Sequence, residues 1–324
     1  VPVAIIHTAM GGTAIESWID SASLETIPSG RIGTKFYRDA AADYQEKKSA
    51  WQAAKLTWQM QADSAMAAGQ PAPPMAPPLR KEPEGVKPHM LPSALFNGKV
   101  APLQPYALRG VVWYQGESNA ASADSAKRYG DLLSLLIERW RIGWSDPKLP
   151  FLVVQLPGYE APGKFAAWAE MRAQQAAVVA RTPQTSLVVT IDLGERDNIH
   201  PTHKQAVGER VALAARKLVY GEASLADQGP RFKSATRAGD EIRLHLAHTG
   251  ALSPTNAASP QGFEVAGADG HYGPVPARIE GGAIVITAPA SGPVTLRYAW
   301  KNWPEQNLRD ASGLPLAPFI TATL

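Results

Sequence analysis

Cysteine is absent from the 324-residue chain, which excludes disulfides and thiolate metal sites. A surplus of one charge is lacking as well: 32 Lys and Arg stand against 29 Asp and Glu, a net charge of +3. No Lys/Arg block tracks along a phosphate backbone, so no nucleic-acid partner is expected. No apolar run approaches the roughly 20 residues of a membrane span, so no membrane partner is expected. A signal peptide is not seen, though a mature form would have lost one. What remains is ordinary folded protein, 45% hydrophobic and 19% charged. That composition excludes a disordered chain, and the length can bury a sizeable core in one large domain or two.

The stretch around which the chain is organised is Arg109–Ala120, RGVVWYQGESNA. Val111, Val112 and Trp113 read as a short buried strand. The residues that follow, Gln115 to Asn119, are polar or glycine and fall at the carboxyl end of that strand, where open α/β sheets place their ligand sites. Thr190–Lys204, TIDLGERDNIHPTHK, makes the same transition and carries Asp197 and His200. Two such loops on neighbouring strands predict an active site.

The chain begins with Val1–Ile6, which reads as a strand, and so has the look of a piece cut from something longer. Gly11 and Gly12 follow, where the backbone is free to adopt positive φ or approach a ligand. Thr13 is placed to cap a short helix, with Glu16 completing a capping box. A helix is predicted over residues 35–68, with Tyr37, Tyr44, Trp51 and Trp58 on one face and a break near Lys48. Eight prolines between Pro71 and Pro92 then predict an extended excursion, so residues 35–92 read as a helical and Pro-rich insertion.

Helices over 125–140, 165–180 and 206–220 alternate with strands at 151–156 and 186–191. The alternation predicts an α/β fold with a mostly parallel sheet covered on both faces. After Gly221 short strands divided by Gly, Pro and Asp turns predict a small β module. The expected domains are 1–228 and 229–324.

His200 is the first candidate for chemistry. An aspartate three residues before it, Asp197, can receive Nδ1–H and leave Nε2 to take a proton from a hydroxyl. The alternative is that His200 only caps the next helix. His200 and His203 have a spacing that also suits a metal, with Asp192, Glu195 or Asp197 completing the set, but no further His or Cys lies nearby; no metal is expected.

WYQGESN, together with GGTAIESW and DNIHPTHK, resembles the sialate O-acetylesterase family of carbohydrate esterases, within the SGNH-type hydrolases. LFNGKVAPL and Tyr298-Ala-Trp300 extend the resemblance over nearly the whole chain. It implies a doubly wound parallel sheet and a Ser-His-Asp mechanism without cofactor. His200 would be the base and Asp197 its orienter, with Gly12 N–H and the Gln115 amide as oxyanion donors. Gly11, Glu117 and Asn119 would order the loops or touch the sugar. The family nucleophile lies in a Gly-Gln-Ser-Asn motif that this sequence does not contain, and Ser118 does not match its position. The resemblance therefore implies that the serine, and a central strand, come from a second polypeptide or N-terminal fragment. Without that strand apolar edges would be exposed.

The expected reaction is removal of acetyl groups from sugar hydroxyls of sialic acid or of hemicelluloses such as xylan and xyloglucan, in a periplasmic or secreted bacterial enzyme. Trp113, Tyr114, Trp18 and Trp168 are candidates to stack on a sugar. Two rivals remain. A glycoside hydrolase would need paired carboxylates about 5 to 9 Å apart, for which Glu117 with Asp192, Glu195 or Glu170 are available. A non-catalytic carbohydrate-binding protein is the other, though binding alone needs no base with an orienter.

Overall fold

The computed structural model describes residues 3–104, 106–160, 167–247, 251–255, 259–288 and 292–324. The chain divides into two compact units, 1–103 and 104–324. The β-rich segment thus shares a unit with the parallel sheet.

In the first unit residues 3–10 form no strand, and Val3, Ile5 and Ile6 are exposed. A strand exists only through its ladder to a neighbour; apolar residues without one do not make it. The N-cap of the following 3-10 turn, Ile15–Trp18, is Ala14. The Thr13 hydroxyl donates to the Met10 carbonyl and accepts from Trp18 Nε1, so it ties the Gly11–Gly12 turn to a buried indole. The short helix α1, Ser21–Leu24, is capped by Asp20, whose Oδ1 accepts from Ser23 N at 2.8 Å.

Helix α2 runs unbroken over Pro28–Ala67, 40 residues. It begins seven residues earlier than the aromatic stripe suggests, with Pro28 in its first turn, where a missing N–H costs nothing. Small residues start it because the backbone of α1 lies against it: a Cβ on Gly30 would sit 2.1 Å from the Leu24 carbonyl oxygen. Lys48 marks no break. The stripe is the seam for the Pro-rich excursion, since Trp58 Nε1 donates to Pro73 O and Tyr44 OH to Glu82.

The second unit holds a three-stranded parallel sheet, β1 Val111–Trp113, β2 Phe151–Val154 and β3 Thr185–Val188, in the order β1-β2-β3. The strands carrying the two polar loops are therefore not neighbours; β2 lies between them. Helices α3 Ala123–Gly143, α4 Trp168–Arg181 and α5 Lys204–Leu218 follow the three strands in turn. Phe165, expected in α4, lies outside the described residues. Strand side chains alternate between faces. Leu152, Val154 and Val188 pack with Val207 and Ala214 of α5, while Phe151 meets Trp140 of α3 on the other face. Every residue of β2 is buried, as a central parallel strand requires. β1 is an edge, and the expectation that it is buried holds only for Trp113: Val112 is 55% exposed.

Among the described residues ten short strands follow: β4 Arg231–Ala238, β5 Glu241–Ala247, β6 Ser253–Pro254, β7 Phe263–Ala266, β8 Gly273–Pro274, β9 Ala277–Glu280, β10 Ala283–Thr287, β11 Thr295–Tyr298, β12 Leu308–Arg309 and β13 Phe319–Ile320. They form antiparallel sheets in the orders β4-β5-β10-β9 and β13-β11-β7-β8, with a β12-β6 pair. Phe232 and Phe319 stack between the two larger sheets at 4.7 Å. β4 is not anticipated from sequence because RFKSATRA carries no apolar alternation.

Candidate active site

The turn after β1 is built around Gln115. Its carbonyl accepts from Tyr129 OH and from Gln175 Nε2, each at 3.0 Å. Gln175 Oε1 also accepts from Leu156 N at 3.0 Å, so one buried side chain of α4 braces the ends of β1 and β2 together. The Gln115 amide Nε2 donates to Asn119 Oδ1 at 3.0 Å. Glu117–Asn119 form a single 3-10 turn. Gly116 permits it: φ is 153°, and a Cβ would press on Met171, Leu156 and Gln175 at 3.3 Å.

The loop after β3 is held by two carboxylates, neither of them Asp197. Asp192 accepts from both terminal nitrogens of Arg210 at 2.6 and 2.7 Å, and from Arg309. Burial alone would raise its pKa, but the Arg210 hydrogen bonds with the charges of Arg210 and Arg309 outweigh that and leave it lowered. Glu195 accepts from the Thr202 hydroxyl and Thr202 N–H at 2.6 Å and from Asn198 Nδ2 at 2.8 Å. Those bonds, the Thr202 hydroxyl first, bring its pKa down to about 2. Asn198 Oδ1 in turn accepts from the backbone N–H of His200 at 3.0 Å. His200 sits at the crest of this clamp, exposed. It does not cap α5, whose N-cap is His203 without a side-chain bond.

The two loops converge although β2 separates their strands. Lys204 Nζ stands 5.2 Å from the centroid of the Tyr114 ring. Glu117 lies within the field of both Lys204 and His200. Its pKa is raised by desolvation, against the opposing pull of its own and the Gly116 backbone N–H groups, of the Lys204 charge and of the nearby His200 ring. Tyr114 is pushed up by burial and then by the Glu117 charge.

Of the expected site residues, Gln115, Glu117, Asn119 and His200 thus gather at the carboxyl ends of β1 and β3. Asp197 lies in the same loop as His200, both side chains are exposed, and no hydrogen bond joins them. No serine hydroxyl bonds to His200 among the described residues, and Ser118 is a partly buried member of the 3-10 turn. Gly11 and Gly12 form an exposed turn in the first unit, with φ of 70° at Gly12.

Three expected sugar-stacking residues are core: Trp18, Trp113 and Trp168 are buried, and Trp113 Nε1 donates to Tyr129 OH at 3.1 Å. Tyr114 is partly buried beneath Lys204. Sequence reasoning missed Tyr129 and Gln175, which shape the Gln115 turn; on their helices both occupy ordinary core-facing positions, so nothing marks them. It also missed Trp300 and Trp303, which with Glu160 and Glu170 line a cleft of roughly 490 Å³. Two indoles flanking Lys-Asn in a loop were the available signal. Among the described residues no group of three His, Cys, Asp or Glu side chains could hold a metal ion; Asp192 and Glu195 are committed to arginine and to the loop backbone.

Residues 92–217 match the family described as carbohydrate esterase, sialic acid-specific acetylesterase. The chain is similar to the sialate O-acetylesterase of Mus musculus, 33% identical over 256 residues, covering 70% of this chain and 47% of the mouse protein. It is 32% identical to the Homo sapiens sialate O-acetylesterase over 263 residues, covering 70% and 48%. Among solved structures it is similar to a carbohydrate acetylesterase from Xanthomonas citri, with a TM-score of 0.73 and 32% identity over 96% of this chain and 59% of that one. The chain spans about half the length of the curated relatives it matches.

Proposed function

From its membership of the sialate O-acetylesterase family of carbohydrate esterases, we propose that this chain supplies the base and part of the oxyanion hole of an enzyme that removes acetyl groups from sugar hydroxyls. The observation that carries the reading is the meeting of the Gln115 turn and the His200 loop at the carboxyl ends of β1 and β3. In this reading residues 1–228 form an SGNH-type esterase domain and 229–324 a β module.

His200 removes the proton from a serine hydroxyl as the serine attacks the acetyl carbonyl, with Asp197 as its orienter once substrate and serine are in place. Gly12 N–H and Gln115 Nε2 are the proposed donors to the negative oxygen. An amide already aimed by Asn119 needs no reorganisation as the charge appears. His200 then protonates the departing sugar oxygen, and water clears the acetyl group by the same roles in reverse. The substrate is sialic acid or an acetylated hemicellulose, and the setting is the periplasm or the cell exterior.

The serine is proposed to come from a separate N-terminal segment bearing Gly-Gln-Ser-Asn. Two observations support this: that motif occurs nowhere in the sequence, and among the described residues β1 presents an unpaired edge with Val112 exposed, the kind of edge that another strand covers. The test is the intact mass of every species in the purified sample after a fluorophosphonate probe, with acetate release measured alongside. A second polypeptide that gains the probe mass supports the assignment. Labelling of this chain itself overturns the origin of the serine, and absence of both labelling and acetate overturns the esterase reading.

A further inference from the structure

The stretch after β11, Ala299–Trp303, is fastened from below by a fully buried guanidinium. Arg172 of α4 donates to the carbonyls of Ala299 at 3.2 Å, Asn302 at 3.4 Å, and Lys301. Asn302 adds two bonds, accepting at Oδ1 from Trp168 N at 3.2 Å and at its carbonyl from Tyr159 N at 3.0 Å. Ala299 is held at φ 51°, a conformation that a residue with a side chain rarely adopts unless its surroundings impose it. Burying a charge this way is costly, and burial pushes the guanidinium pKa down. The bonds fix a loop whose two indoles stay partly exposed, whereas Trp18, Trp113, Trp140 and Trp168 are all buried.

The cleft beside these indoles is lined by Trp300, Trp303, Lys301, Asn302, Glu160 and Glu170, among others. Two carboxylates lie on its lining: Glu160, which pairs with Arg196 at 2.7 Å, and Glu170. The lining Lys301 is directed to Glu264, 3.9 Å away. Glu160 N also donates to the Arg196 carbonyl at 2.9 Å, and Arg196 directly precedes Asp197. One wall of the cleft is therefore bonded to the loop that carries His200.

We propose that this cleft is a second sugar subsite, binding a neutral pyranose ring of the saccharide other than the one that carries the ester. Preformed concave sites with aromatic walls and a few placed polar groups suit an amphipathic ring. The indoles take its C–H face, the carboxylates and the Asn302 side chain its hydroxyls. The two lining carboxylates repel a sialic acid carboxylate and accept from hydroxyls, which favours a neutral ring. The inference rests on the carbohydrate reading above and extends it to a longer chain of sugars.

The test is calorimetric titration of the 324-residue protein with xylotetraose, lactose and N-acetylneuraminic acid. The first two separate a plant-polysaccharide source of the ring from a glycan source, and the third is expected to bind weakest. Trp300→Ala and Trp303→Ala are each expected to weaken binding of the preferred neutral saccharide by about tenfold, and Trp303→Phe to retain it. Wild-type affinity in both alanine variants, or no binding of either neutral saccharide, overturns the proposal. Should an alanine variant fail to fold, Glu170→Ala reads the same cleft, and an unchanged Kd there overturns it too. Failure of the esterase reading is a separate result, seen as no acetate released by the wild-type protein.

Discussion

Gln115 Nε2 and Asn119 Oδ1 are hydrogen-bonded at 3.0 Å across one 3-10 turn, so the amide proposed to meet the oxyanion is aimed by a residue four positions on. Asn119→Ala is expected to lower kcat by about 100-fold, the scale of a displaced oxyanion donor, with KM nearly unchanged. Asn119→Asp keeps an acceptor for the same N–H and should recover most of the loss. Steady-state acetate release decides it.

Glu195 is the clamp of the His200 loop. Its folded pKa, about 2, is depressed, so the clamp holds above the ordinary carboxylate value near pH 4 and is lost as pH falls toward 2. Protection of the Thr202 amide against hydrogen exchange should fall across that window. In Glu195→Ala it should be low at every pH, with acetate release reduced about tenfold or more for want of a placed His200.

Glu117 behaves in the opposite sense. Its folded pKa is raised by burial, so the fold disfavours the carboxylate; stability is complete below the unfolded value and falls as pH rises through the folded one. Glu117→Gln is therefore expected to raise Tm at pH 7 and to match the wild type near pH 4 or below. Thermal unfolding at the two pH values measures it.

Asp192 carries structure, not chemistry. Asp192→Asn leaves Arg210 and Arg309 without their buried counter-charge and should cost about 3 kcal/mol, or roughly 6–12 °C in Tm. The depressed pKa adds that this support is present above about pH 4 and lost below it. With Asp192 and Glu195 both committed, no reducing sugar is expected when the protein acts on acetylated oligosaccharide; its appearance would restore the glycoside hydrolase alternative.

The helices were legible because the signals that make them are local. Tyr129, Leu132, Leu133, Leu136 and Trp140 repeat at helical spacing, and all five are buried in α3. The chemical loops were legible for a related reason: a run such as VVWYQGESN changes from apolar to polar within one turn, as chain leaving a strand does. Lys48 was misjudged because length alone suggested a break, while the Pro-rich excursion that supports α2 lies far along the chain.

The sequence by itself determined the α/β alternation, the close of α2 before the Pro-rich excursion and the presence of Gln115, Asn119 and His200 in post-strand loops, since periodicity, proline and glycine act within a few residues. Only the tertiary structure decided that β2 stands between β1 and β3, that residues 3–6 form no strand, that Glu195 and not Asp197 pins the His200 loop, and that Trp168 is core while Trp300 and Trp303 reach a cleft. Each depends on which distant group arrives as partner. A ladder needs a second strand, a carboxylate takes whichever donors the loop returns to it, and an indole is buried or exposed according to what packs on it. No local pattern carries that information.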